Sequence, residues 1–108
     1  MAGKILNNKK IIISAGGNGI GLATANICLS KGAIVYLCDV DEKSIKKLKR
    51  HKQFNKKLFP YQLDASKEHE VANFFYSISK KTKKIDALIN NVGVSGPTGS
   101  IEKLSSKD

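Results

Sequence analysis

Three consecutive isoleucines, Ile11-Ile12-Ile13, run straight into the loop Ser14-Ala15-Gly16-Gly17-Asn18-Gly19-Ile20-Gly21, and a helix-like segment opens directly behind it. A strand that passes through a glycine-rich bend into a helix is a strong constraint on the fold. The helix N-terminus carries unpaired N–H groups and a partial positive charge, and bare glycine backbone can approach a phosphate closely. Gly16, Gly17, Gly19 and Gly21 are read as supplying that freedom. No Gly-Lys-Ser/Thr follows the bend, which excludes a P-loop.

Three further apolar runs follow: Ala33–Cys38, Leu58–Leu63 and Asp86–Asn90. They are continuous rather than alternating, as in strands buried on both faces of a parallel sheet. Pro60 cannot donate to a ladder, so the third run is expected at an edge. Helical patterns lie between the runs. The first covers about 19–31, with Ile20, Ala23 and Ile27 on its packing face and Gly32 as its stop. The second covers about 42–52, with Ile45 and Leu48 on one face. The third covers about 67–81, where Val71, Phe74, Phe75 and Ile78 form an amphipathic stripe. The order β-α-β-α-β-α-β predicts an α/β fold, a partial Rossmann-type doubly wound parallel sheet with strand order 3-2-1-4. A ligand belongs at the switch point between the first and fourth strands. Residues 1–108 are read as one domain.

Asp39 stands 18 residues beyond Gly21, at the end of the second run. A carboxylate there accepts hydrogen bonds from the adenosine ribose hydroxyls and repels a 2′-phosphate. Val40 follows it, and the loop holds no Arg or Lys. NAD is therefore expected over NADP. The alternative for Asp39 is capping of the helix that starts near Asp41.

These residues resemble the short-chain dehydrogenase/reductase family. Ser14-Ala15-Gly16-Gly17-Asn18-Gly19-Ile20-Gly21 is similar to its Thr-Gly-x-x-x-Gly-x-Gly motif, with Ser-Ala in place of Thr-Gly. Leu63-Asp64-Ala65-Ser66 resembles its acidic position after the third strand, which contacts the adenine ring. The alternative for Asp64 is a helix cap before Ser66. Asn90-Asn91-Val92-Gly93 is similar to its Asn-Asn-Ala-Gly motif, with the bulkier Val92 in place of Ala. The resemblance covers about 5–104. It implies a cofactor site formed by Ser14 to Gly21, Asp39, Asp64, Ala65, Asn91, Val92 and Gly93, with NAD(H) as partner.

The resemblance also implies hydride transfer between the nicotinamide and a small alcohol or carbonyl, and a homo-oligomer in a full-length form. The family's catalytic Ser and Tyr-x-x-x-Lys come after the Asn-Asn-Ala-Gly region. The chain reaches Asp108 soon after it, so it is expected to be the cofactor-binding part only and inactive by itself. Tyr76-Ser77-Ile78-Ser79-Lys80 has the Tyr-x-x-x-Lys spacing but precedes Asn90, and helical geometry puts Tyr76 and Lys80 opposite the apolar stripe. It is rejected as a catalytic pair, and no catalytic residue is assigned.

The net charge of +10 invites a nucleic-acid reading. Yet eighteen of the nineteen basic residues are Lys, and only Arg50 offers the fork that reads base edges. The lysines gather at 43–57 and 80–84, around helix ends and loops, which suits a solvated basic face. Cys28 and Cys38 have no metal-type spacing and are expected as buried free thiols. His51 and His69 are expected at the surface, and no metal site is expected. No apolar stretch approaches the ~20 residues that cross a bilayer, so no membrane partner and a cytoplasmic location are expected. Two other readings stay open: a non-catalytic dinucleotide-binding module, and a basic protein that binds nucleic acid. An uncovered fourth strand would further make the chain marginally stable or self-associating.

Overall fold

A computed structural model of the chain describes residues 5–15 and 20–91. Its elements are β1 (Lys10–Ala15), α1 (Ile20–Ser30), β2 (Ile34–Asp39), α2 (Glu42–Leu48), β3 (Leu58–Gln62), α3 (Glu68–Ser79) and β4 (Ala87–Asn91). The strands form one sheet in the order β3-β2-β1-β4, with every pair parallel. The Rossmann-type winding expected from the element order is the one the chain adopts.

The β-branched runs are buried from both sides. Ile11, Ile13, Val35 and Leu37 pack with Ala25 and Cys28 of α1 and with Ile45 and Leu48 of α2. Ile12, Tyr36 and Cys38 face the other way and pack with Phe74 and Ile78 of α3. Helices α1 and α2 therefore cover one face and α3 the other. Both cysteines are buried free thiols. Burial pushes the Cys38 thiol up, although a hydrogen bond with Ser14 opposes the shift.

Helix α1 packs on a different face from the one its hydrophobicity suggested. Ala23 and Ile27 are exposed, Ile27 at 62%. Gly21, Ala25 and Cys28 are buried instead, at the same helical spacing. The physical reason is proximity. A Cβ on Gly21 would collide with the Cβ of Ala15 and lie 3.3 Å from its Cα, so no side chain fits at that point between helix and strand. Gly21 thus provides packing space rather than the conformational freedom read from the sequence. At the other end Gly32 has φ 94°, Gly32 N–H donates to the Leu29 carbonyl, and Ala33 N–H donates to that of Cys28. This left-handed pair of bonds stops the helix as expected.

Helix α2 is shorter than the sequence suggested, ending at Leu48 rather than near 52. Arg50 N–H and His51 N–H turn back to the Lys47 and Leu48 carbonyls, and the chain runs through turns to 57, where Asn55 takes φ 66°. His51 is not a free surface residue. Its Nδ1 accepts from Gln53 N–H at 3.0 Å and its Nε2 lies 2.8 Å from Asn26 Oδ1 on α1. In α3, Phe74 and Ile78 are buried, whereas Phe75 is 38% exposed, so the buried stripe is narrower than expected.

β3 is an edge strand, as Pro60 required. Leu63 N–H donates to the Asp39 carbonyl of β2, so the amides of 59, 61 and 63 face inward and the missing amide of Pro60 falls on the open side. At the opposite end of the sheet, Lys10 N–H donates to Asp86 Oδ2 and Asp86 N–H donates to the Lys10 carbonyl, both at 2.8 Å. These bonds lock the starts of β1 and β4 together.

Candidate dinucleotide site at the C-terminal edge of the sheet

Parallel register brings the strand ends into one row. Ala15 pairs with Asp39 on one side and with Asn91 on the other, and Asp39 pairs with Gln62. Neighbouring strands lie about 4.8 Å apart, so Asp39 and Asn91 flank the point where the chain leaves β1 for α1. The order of winding reverses at β1, with β2 and β3 added on one side and β4 on the other, and such a switch point is where open α/β sheets bind ligands. The sequence named Ser14, Ala15, Asp39 and Asn91, and the sheet brings them together. It did not name Gln62, whose place in the row depends on register with β2.

The strand continues through Ser14 and Ala15, so these two residues belong to β1 rather than to the loop. The half-buried Ser14 side chain meets the Cys38 thiol and braces β1 against β2. Gly16, Gly17, Asn18 and Gly19 lie outside the described residues, as do Val92 and Gly93. Ile20 opens α1 immediately behind the four loop residues. Gly21, one position further, holds the helix N-terminus close against the end of β1.

Asp39 is 4% exposed, the only buried charged side chain among the described residues. Its Oδ1 accepts from Asp41 N–H at 2.9 Å, while its Oδ2 has no hydrogen-bond partner among the described residues. The helix-capping duty belongs to Asp41. Its side chain accepts from the Lys43 amide and, at 2.7 Å, from the Ser44 hydroxyl. That hydroxyl, with smaller help from the amides of Lys43 and Ser44, holds the Asp41 carboxyl below the usual range. A buried carboxylate oxygen without a donor is costly, and it suits a site whose donor is a ligand.

Asp64 and Ala65 follow β3 on the same side. Asp64 Oδ1 accepts from the Ser66 hydroxyl at 2.7 Å and from the Ser66 amide at 2.9 Å. These bonds lower its pKa. The Asp64 amide donates to Glu70 Oε1 at 2.8 Å. The N-cap position of α3 is Lys67, so Asp64 organises the turn before the helix without being its N-cap. Ala65 is exposed beside it.

Tyr76 and Lys80 lie at the far end of α3, away from this row. Tyr76 is 62% exposed, and Lys80 Nζ sits 4.8 Å from the centre of its ring. Among the described residues no group of His, Cys, Asp or Glu has metal-site geometry, and no helix is long and apolar enough to cross a membrane.

Comparison with known proteins places this geometry in a family. The sequence matches the short chain dehydrogenase family over residues 9–108. It is 35% identical over 104 residues to Short-chain dehydrogenase reductase 5 of Arabidopsis thaliana, covering 96% of this chain and 40% of that protein. The short chain dehydrogenase of Leptospira borgpetersenii with bound NAD+ superposes with a TM-score of 0.67 at 25% identity, covering 93% of this chain and 39% of the other. ElxO with NADP bound gives a TM-score of 0.69 at 25% identity, covering 92% and 42%. The chain spans 33%, 32% and 40% of the length of three curated relatives. A partial Rossmann sheet with a glycine-rich bend at its switch point and a carboxylate closing its second strand thus belongs to the short-chain dehydrogenase/reductase family of oxidoreductases.

Proposed function

We propose that the chain holds NAD in preference to NADP and forms the cofactor-binding part of an oxidoreductase acting on a small alcohol or carbonyl compound. The observation that carries this is Asp39. Its Oδ2 has no donor among the described residues, and its backbone pairs with Ala15 at the mouth of the glycine bend. Ribose hydroxyls can donate to that oxygen, and in a low-dielectric setting such a bond is strengthened. A 2′-phosphate would instead face Asp39 with Asp41 and Glu42 close behind it in the chain. Similar structures carry either NAD+ or NADP, so the choice rests on this carboxylate.

Each proposed contact follows from its position. In this reading the backbone of Gly16, Gly17, Asn18, Gly19 and Ile20 is assigned to the diphosphate, between Ser14 and Ala15 at the end of β1 and Gly21 in the first turn of α1. Asp64 and Ala65 border the adenine. Asn91, Val92 and Gly93 border the sugar on the nicotinamide side. The nicotinamide, when bound, supplies the hydride acceptor or donor. No described residue is assigned to proton transfer.

Calorimetric titration with NADH and NADPH tests the proposal. NADH should bind at least tenfold tighter, and Asp39→Ser should narrow that ratio. Tighter NADPH binding would overturn the NAD preference, and binding of neither would overturn the site.

A further inference from the structure

We propose that the N-terminal edge of the sheet, opposite the candidate cofactor site, is a docking surface for an anionic lipid bilayer. This inference is independent of the dinucleotide reading. In a parallel sheet with returning helices, strand starts and helix ends share one edge. The basic residues collect there: two in 9–10, one at 31, five in 49–57 and four in 80–84, twelve of the chain's nineteen. Asp86 is the only carboxylate at that edge among the described residues. Six of the nine acidic residues lie at the opposite edge, in 39–42 and 64–70. Charge is therefore sorted along the strand direction.

Helix dipoles favour cations only within the last helical turn. Positions 9–10, 52–57 and 83–84 lie outside any such turn. Of the twelve, only Lys84 has a carboxylate within ion-pair reach among the described residues, Asp86 at 3.7 Å. The other eleven cations have no carboxylate partner among the described residues, and so many on one edge attract a polyanion.

Two observations favour a bilayer over nucleic acid. Eleven of the twelve are lysines, which act as hydrated point charges rather than as bidentate phosphate or base readers. Ile5 is 67% exposed in the turn fastened to this edge by the bond from Leu6 N–H to the Lys31 carbonyl. A membrane interface rewards an apolar side chain among lysines, whereas a phosphate backbone does not. The expectation of no membrane partner rested on the lack of a spanning segment, which such surface attachment does not require.

Flotation of the purified chain with phosphatidylserine-containing vesicles, against pure phosphatidylcholine vesicles, tests the idea. Binding should require phosphatidylserine and fall with salt. Lys52→Gln with Lys83→Gln, both at the basic edge, should weaken partitioning about 30-fold. Lys43→Gln with Lys67→Gln removes the same charge near the opposite edge and should weaken it far less. Ile5→Ser should weaken vesicle binding several-fold, with circular dichroism confirming that each variant is folded. Equal losses in the two double variants would overturn the proposal, since net charge alone would then suffice. So would absence of vesicle binding, or binding of duplex DNA in preference to phosphatidylserine vesicles.

Discussion

Gly21 and Ala15 meet across the joint between α1 and β1 with no space for a side-chain carbon on the glycine. The helix N-terminus is held against the end of the strand by this contact, and the bend between them has only four residues to span. Gly21→Ala should therefore do two things. Overpacking should lower the stability of the chain by about 1–3 kcal/mol, read from the urea midpoint. It should also weaken NADH binding at temperatures where the variant remains folded. A variant that loses stability but binds NADH unchanged would show that the joint does not position the bend.

Asp39 and Asp41 are two residues apart but have separate duties, and substitution should separate them. Asp41→Ala removes the acceptor for the Lys43 amide and the Ser44 hydroxyl and should lower stability while leaving the preference between NADH and NADPH intact. Asp39→Ser should change the preference. Titration of both variants with both cofactors reads the difference.

Acid should loosen the sheet at its basic edge. The backbone N–H of Lys10, followed by the charges of Lys84 and Lys9, holds the Asp86 carboxyl below its ordinary value. The folded state thus binds fewer protons than the unfolded state in that range. The stabilisation is complete above the unfolded value and is lost as pH falls through the folded one. Asp86→Asn should flatten the part of the acid stability curve below about pH 4. Denaturant midpoints measured across that range check this, and an unchanged slope would refute it.

His51 ties the turn after α2 to α1 through Asn26. With Nδ1 accepting from Gln53 N–H, the ring proton sits on Nε2 and points to Asn26 Oδ1. His51→Ala should cost about 1–2 kcal/mol, the net worth of two hydrogen bonds. Asn26→Ala should cost less, and the double variant should cost less than the sum of the two. Strict additivity would show that the two side chains do not act as a pair.

The strand order and the alignment of Ala15, Asp39 and Asn91 were legible because they follow from burial and connectivity. Ile11–Ile13 and the run ending at Asp39 mark central strands, and Pro60 marks an edge. The packing face of α1 was not legible by hydrophobicity, because the joint with β1 leaves no room for a side chain at Gly21, and Ala25 and Cys28 follow on that face while Ile27 does not. The end of α2 was also hidden, since nothing in Lys49-Arg50-His51-Lys52 forbids another helical turn. The turn that replaces it is held by His51 bonding to Gln53 and Asn26, which are contacts that a linear reading does not contain. Sorting of the lysines to one edge was half visible, as clusters at helix ends. Only the fold shows that those ends coincide.

That segregation gives the molecule a lengthwise electric moment. Six acidic residues share the edge proposed for a diphosphate, on its β2 and β3 side, so a dinucleotide approaches beside negative charge and is held at short range by backbone amides. Added electrolyte should therefore act in opposite senses at the two poles, easing entry of the nucleotide while releasing whatever polyanion the other pole has gathered.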